Sequence, residues 1–354
     1  MKKFRYLIVG SGYRAEYYGR IARKYSQLFN AMFLCRSEEK AQLVEAHTGI
    51  AGTTNNEKAI AFDPDFIVVA VNREKVGAVT IEWAERGFPV LAETPVASSM
   101  DELEKLWTLS RKTGVKISSS EQYHRYPILA AGLSCVQRGE IGTPVSMYLS
   151  LAHEYHGFSL IRRGLQAENE RYSIYAVRTD SDAAATDSRY GAILDGSTVR
   201  EERDTVFITF SSGKTAIYDF APLQYRSFIR SKHLSVRGTK GEWSDRIVYY
   251  TDSRNRPQRT FLMPEIEERY RDLDTQGLRD LRKVWAPELF LDTEQDEFAI
   301  ASILLDMGSF VQGGPSPYPL EEALDDAYFT LLLCQAIENP WQRVDAQTMP
   351  WMRG

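Results

Sequence analysis

The chain has 354 residues, too long for one ordinary domain, and its 43% hydrophobic and 26% charged residues suit two folded cores. A formal net charge of −5 supplies no basic field, so no nucleic-acid partner is expected. The opening MKKFRYLIVGSG has an apolar run that ends at Gly10, too short for a signal-peptide core or a membrane span, and Cys35, Cys135 and Cys334 form no CxxC pair; no membrane association, no metal and a cytoplasmic location are expected.

From the N-terminus to about Ser120, short β-type runs alternate with longer amphipathic segments, the pattern of βαβ units building a parallel sheet. FRYLIVG, AMFLC, DFIVVAV, FPVLAE and KISSS read as strands. AEYYGRIARKYSQL, EEKAQLVEAHTG, GAVTIEWAERG and MDELEKLWTLSRKTG have apolar residues at helical spacing, several closed by glycine. Beyond Tyr126-Pro127 one more helix, ILAAGLSCVQRGEIG, leads into a different pattern. PVSMYLSLAHEYH reads as a strand, and DTVFITFSSGKTAIYDFAP as a hairpin turning at Ser212-Gly213. HLSVRGTKGEW and RIVYYTDSRNRPQRTFLMP continue a meander, and two amphipathic helices, DEFAIASILLDMGSFVQ and LEEALDDAYFTLLLCQAIE, are expected to close that second domain. The polar stretch from Arg171 to Arg203 reads as a long functional loop. The expected architecture is therefore α/β: a doubly wound parallel Rossmann domain over 1–123, then an α+β domain over 124–354 with an open, mostly antiparallel sheet.

IVGSGYRAEYYGRIA sets Gly10, Gly12 and Ala15 at the G-x-G-x-x-G/A spacing, directly after a strand and opening a helix. The first glycine permits the turn, the second lets the backbone approach a pyrophosphate, and the third small residue lets helix pack on strand, with Tyr13 and Arg14 beside the phosphate at the helix start. An acid at the end of the second strand would hold the ribose 2′-hydroxyl of NAD; Cys35, Arg36 and Ser37 stand there instead, which favours NADP(H) over NAD. A solvated charge at a helix start is the plainer reading of Arg36. Val71 and Asn72, at the end of DFIVVAV, complete the cofactor candidates from this part of the sheet.

The fingerprint, DPDFIVVAV, AETP after a strand, GEIGTPV and VRGTKGEW together resemble the glucose-fructose oxidoreductase, inositol dehydrogenase and rhizopine-catabolism family, Gfo/Idh/MocA, over nearly the whole chain. The resemblance implies an enzyme that moves a hydride between NAD(P) and a carbinol carbon of a sugar, glycoside or polyol, and that assembles as a homodimer or homotetramer through its sheets. The family's Glu-Lys-Pro falls on Glu93, Thr94 and Pro95, so the usual lysine is absent. Thr94 can hydrogen-bond substrate or carboxamide but cannot serve as a cation or a base near neutral pH. The family's Asp and, four residues later, His fall on Ala152 and His156, so the histidine is kept and the aspartate is not.

With the lysine gone, the proton acceptor is sought in HEYHG. His156 is the base candidate; on a strand Glu154 would share its face and orient the imidazole, with Tyr155 and His153 on the other. His124 and Thr94 are further catalytic candidates, Gln122 a cofactor residue after the fifth strand, and Tyr123, His153 and Arg163 substrate contacts. Arg162 and Arg163 read equally as solvated helix charges, and Gln224, Arg226 and Arg230 in QYRSFIR as structural residues. A catalytically silent dinucleotide-binding sensor or partner subunit is the alternative, since both the lysine and the aspartate are missing.

Overall fold

The computed structural model describes residues 3–188, 191–264, 266–289 and 291–352. Their contacts form two compact units, one running up to Tyr126 with Ile266–Leu278 and Asp292–Tyr328, the other starting at Pro127 and holding the remaining segments.

In the first unit β1 (Phe4–Val9), α1 (Tyr13–Lys24), β2 (Phe29–Leu34), α2 (Glu38–Thr48), β3 (Gly52–Thr53), α3 (Asn56–Ala61), β4 (Phe66–Val69), α4 (Arg73–Glu85), β5 (Val90–Ala92), α5 (Met100–Thr113) and β6 (Ile117–Ser119) follow one another. The strands form one parallel sheet in the order β3-β2-β1-β4-β5-β6, the doubly wound Rossmann arrangement. Local chemistry sets the helix limits. Ser37, Asn55 and Ser99 side chains accept from the amides that open α2, α3 and α5, and Gly49 and Gly114 end α2 and α5 in the left-handed conformation. β3 is two residues long and escapes a reading based on periodicity.

The second unit opens with α6 (Pro127–Gln137), β7 (Pro144–Ser150), α7 (Glu154–Leu165), β8 (Tyr172–Ala184), β9 (Asp187–Ser188), β10 (Gly191–Ala192), β11 (Thr198–Phe210) and β12 (Thr215–Phe220). It continues with β13 (His233–Gly238), β14 (Gly241–Ser244), β15 (Ile247–Thr251) and β16 (Pro257–Phe261); after α8 (Gln276–Leu281), α9 (Thr293–Val311) and α10 (Leu320–Glu338) comes the edge strand β17 (Val344–Asp345). Nine strands order as β16-β15-β14-β13-β7-β12-β11-β8-β17, antiparallel except for the β7–β12 pair. One face is buried through Met147, Leu149, Tyr218, Val206, Ile208, Val236 and Trp243. α7 lies on it because Gly157 and Gly164 have no side chain: a Cβ would stand 2.6 Å from the Tyr218 ring and 2.8 Å from Met147 Sδ. The hairpin at Ser212-Gly213 forms as expected, with Thr209 opposite Thr215.

Two expectations are corrected. The stretch 171–203 is no loop: β8 and β11 pair along their whole length as an antiparallel ribbon, residues 189 and 190 lying outside the described residues. Its polar end is held by charges set opposite one another, Arg178 on Asp204 at 2.6 Å and Arg200 on Asp182 at 3.5 Å, which supply the pairing that an apolar alternation would otherwise signal. The strand read through HEYH stops at Ser150, and α7 begins at Glu154. α9, and α10 up to Tyr328, belong to the first unit. α9 packs on α1 and β4, and Lys24 reaches Glu297 at 2.6 Å while Arg125 reaches Asp306 at 2.8 Å.

Candidate active site

The cofactor candidates gather along the carboxyl edge of the first sheet, where ligands bind in such folds. Gly10 follows β1, Cys35 to Ser37 follow β2, Val71 and Asn72 follow β4, Glu93 to Pro95 follow β5, and Gln122 follows β6. β1 and β4 are neighbours at the switch in strand order. There Gly10 has φ +136°, and a Cβ on it would sit 2.2 Å from the Ala70 carbonyl oxygen, so only glycine fits. At Gly12 the reverse holds, because nothing lies within 4 Å of where a Cβ would be. Gly12 is also the N-cap of α1 and offers no side-chain cap, which leaves an open cradle at the positive end of a helix of 12 residues. Ala15 is fully buried beneath it. These residues fit a dinucleotide pyrophosphate.

At the end of β2 the three candidates differ. Cys35 is buried, its amide donating to Thr53 O at 2.8 Å and its thiol pushed up to about 11 by burial, so it faces the protein interior. The Ser37 hydroxyl accepts from the Lys40 amide and caps α2. Arg36 and Ser37 are both exposed, and no carboxylate stands among the three.

Around Glu93 the fold assembles a charged cluster that sequence reading met only in part. Glu93 is 6% exposed. Arg14 Nε donates to its Oε1 at 2.7 Å, the Tyr18 hydroxyl donates to the same oxygen at 2.6 Å, and the Thr94 amide donates to Oε2 at 3.2 Å. Arg14 Nη1 also meets Asp296 Oδ2 at 3.3 Å, and Gln122, with its amide nitrogen on the Ser120 carbonyl, accepts from Arg14 Nη2 at 3.1 Å. Tyr126 donates to Asp296 Oδ1 at 2.9 Å. Burial by itself lowers the pKa of Arg14, yet the Glu93 and Asp296 charges outweigh it and hold the guanidinium well above its ordinary value. Burial, then the Glu93 charge, pushes the Tyr18 hydroxyl well above its usual range. Thr94 is partly exposed beside this cluster, and the Thr94–Pro95 bond is cis. Tyr18, Ser120 and Asp296 carry no local motif; Asp296 lies 282 residues from Arg14.

Tyr123 and His124 follow Gln122 in a short 3-10 turn, with the Tyr123 ring 5.0 Å from Tyr126 and the His124 ring 5.4 Å from Tyr318.

In the second unit the HEYH residues form the N-terminal turn of α7, not a strand end. Two tyrosine hydroxyls from downstream elements meet the opening amides: His153 N donates to Tyr225 Oη at 3.2 Å and Glu154 N to Tyr218 Oη at 2.7 Å. The two residues open a helix and not a strand, so the shared strand face expected for Glu154 and His156 does not arise. Glu154 is partly exposed, whereas His156 is 5% exposed. The His156 ring packs edge-on against His153 at 4.9 Å and against Tyr155 at 4.5 Å. His153 is hydrogen-bonded through Nδ1 to Tyr225 Oη and through Nε2 to Tyr155 Oη at 2.7 Å. Ala152 is fully buried. Arg162 is buried over the Phe158 ring and is no solvated charge, while Arg163 is partly exposed two turns beyond His156 on the same helix face. Gln224 donates to Ser150 Oγ at 2.7 Å and Arg230 pairs with Glu201 at 2.7 Å; Tyr225 between them is a candidate that the reading passed over.

Residues 4–121 match the model of the GFO_IDH_MocA oxidoreductase family, NAD-binding Rossmann fold. A comparison with curated proteins gives no match. Among solved structures, an Agrobacterium radiobacter oxidoreductase in complex with NAD+, L-tartaric acid and magnesium superposes with TM-score 0.71 at 13% identity, covering 97% of this chain and 98% of that one. Levoglucosan dehydrogenase in complex with NADH and levoglucosan gives 0.72 at 12% identity, covering 98% and 100%. A Sinorhizobium meliloti oxidoreductase gives 0.67 at 16% identity, covering 97% and 100%. At such identities these likenesses establish the fold.

Proposed function

From a first domain that is the NAD-binding Rossmann domain of the Gfo/Idh/MocA oxidoreductase family, we propose that the chain is an NAD(P)-dependent oxidoreductase that moves a hydride to or from a carbinol carbon of a sugar, glycoside or polyol. The observation that carries this reading is the cradle at the carboxyl edge of the sheet, closed at Gly10 and open at Gly12 above an uncapped helix end. The dinucleotide, when bound, takes or gives the hydride. Gly10, Gly12, Tyr13, Arg14 and Ala15 receive its pyrophosphate, and Val71, Asn72, Glu93, Thr94, Pro95 and Gln122 line the edge beyond. The exposed Arg36, with no acid at positions 35 to 37, supports NADP(H) as the preferred form.

Without an amine at position 94, proton handling falls to the group at the start of α7, His153, Tyr155 and His156, while Thr94 binds without exchanging a proton. Tyr123, His124 and Arg163 are the further substrate contacts in this reading. The substrate class is supported by the levoglucosan and L-tartaric acid that two similar folds hold. Self-association through the sheet is supported by its open face, where Tyr175, Phe207, Ile217 and Tyr148 lie opposite one another in a row and Phe207 and Ile217 are exposed. A cytoplasmic location completes the reading, in keeping with three cysteines in no pairing pattern.

The test is to analyse the purified protein for bound dinucleotide and to follow its reduction across a panel of sugars, glycosides and polyols. Reduction by a member of the panel is expected. Tight dinucleotide binding with no turnover across the panel would favour a sensor or partner subunit instead.

A further inference from the structure

Resting on the reading that a dinucleotide lies along the carboxyl edge of the first sheet, we propose that the Glu93–Arg14–Asp296 cluster holds an uncompensated negative charge beside its nicotinamide half. The site then retains the oxidised dinucleotide more tightly than the reduced one. All three residues belong to the first unit. Glu93 Oε1 meets Arg14 Nε at 2.7 Å and Asp296 Oδ2 meets Arg14 Nη1 at 3.3 Å, so two carboxylates share one guanidinium and one formal negative charge is left over. The other groups on these carboxylates are neutral: the Tyr18 hydroxyl and the Thr94 amide on Glu93, the Tyr126 hydroxyl on Asp296. Among the described residues no second cation pairs with either carboxylate.

The sheet order sets which half of the dinucleotide this charge faces. The strands run β3-β2-β1-β4-β5-β6, with the pyrophosphate cradle after β1 and the adenosine-ribose position at the end of β2. The nicotinamide half therefore falls on the other side of β1, over the ends of β4, β5 and β6. Glu93 directly follows β5 and Gln122 follows β6. Arg14, in the first turn of α1, reaches both, its Nη2 donating to the Gln122 oxygen at 3.1 Å. Asp296, in the first turn of α9, meets the same guanidinium.

An oxidised nicotinamide ring is a cation and a reduced ring is neutral, while the phosphates and riboses are common to both forms. A fixed negative charge near the ring thus favours the oxidised form, whereas contacts to the pyrophosphate favour neither. Water screens this charge weakly, because the Glu93 and Asp296 side chains are only 8% and 16% exposed. Asp296 acts through its charge, as a specificity-determining residue and not a catalytic one.

Titration calorimetry of the full chain with NADP+ and NADPH, and with NAD+ and NADH, at about pH 8, far above the carboxylate range, gives a Kd for each form. The ratio of oxidised to reduced Kd cancels every contact the two forms share, so a variant that merely loosens the fold weakens both and leaves the ratio where it was. Asp296→Asn keeps the shape and the acceptor for Tyr126 but removes the uncompensated charge. The oxidised form should then lose about fivefold in affinity relative to the reduced form, the worth of one unit charge felt through partly solvated protein. Glu93→Gln removes the other carboxylate charge and should move the ratio in the same direction. Arg14→Met leaves two carboxylates with no cation between them and should move it the opposite way, toward the oxidised form. A ratio left unchanged by Asp296→Asn and Glu93→Gln, or one that Arg14→Met moves in their direction, overturns the proposal while the dinucleotide reading stands. A wild type that binds neither form of either dinucleotide overturns that reading, and the proposal falls with it.

Discussion

Replacing Arg14 by methionine, of similar length and no charge, strips the guanidinium from between the two carboxylates of the Glu93 cluster. Glu93 then keeps the Tyr18 hydroxyl and the Thr94 amide but loses its 2.7 Å ion pair, and Asp296 loses its own at 3.3 Å. Breaking a buried pair from one side costs about 3–5 kcal/mol. The Arg14 side chain is 27% exposed and its Glu93 partner 8%, so water reaches one end of the pair and the lower figure applies, about 3 kcal/mol. At roughly 2–4 °C per kcal/mol for a domain of this size, the melting temperature should fall by about 6–12 °C near pH 7.5.

Calorimetry of wild type and Arg14→Met at pH 7.5 checks the magnitude. A loss below about 2 °C, less than one kcal/mol would give, refutes it.

Arg36→Ala should weaken NADPH binding about tenfold or more, the worth of a charge-assisted phosphate contact, and leave NADH binding nearly unchanged; fluorescence titrations with an unaltered preference count against the 2′-phosphate reading. Thr94→Val keeps the shape and removes the hydroxyl, so it should mainly raise KM, with kcat falling less than about a hundredfold. A folded, cofactor-binding Thr94→Val protein with no turnover would contradict a binding-only role. Ile217→Arg places a charge in the exposed apolar row of the nine-stranded sheet and should shift sedimentation to a lighter species with the circular dichroism unchanged; an unaltered sedimentation profile argues against association through that face.

The Rossmann half was legible because each step is local. A strand ends in G-x-G-x-x-A, Ser37 and Ser99 open helices, Gly49 and Gly114 close them, and the apolar periods distinguish strand from helix within a dozen residues. The hairpin at Ser212-Gly213 could likewise be read from a line of letters.

What only the tertiary structure decided depends on partners far along the chain. LAHEYH alternates like a strand, yet it folds as a helix start because its opening amides are met by the hydroxyls of Tyr218 and Tyr225, 64 and 72 residues downstream. That turn hands both ring nitrogens of His153 to tyrosines. The ribbon of β8 and β11 is polar because opposite charges, not apolar side chains, match across it. Asp296 reaches Arg14 across 282 residues because α9 packs with the first unit. Local propensity and spacing wrote the nucleotide-binding edge; long-range hydrogen bonds and ion pairs, which leave no periodic trace in a sequence, built the charged cluster beside it and the histidine–tyrosine chain of the second unit.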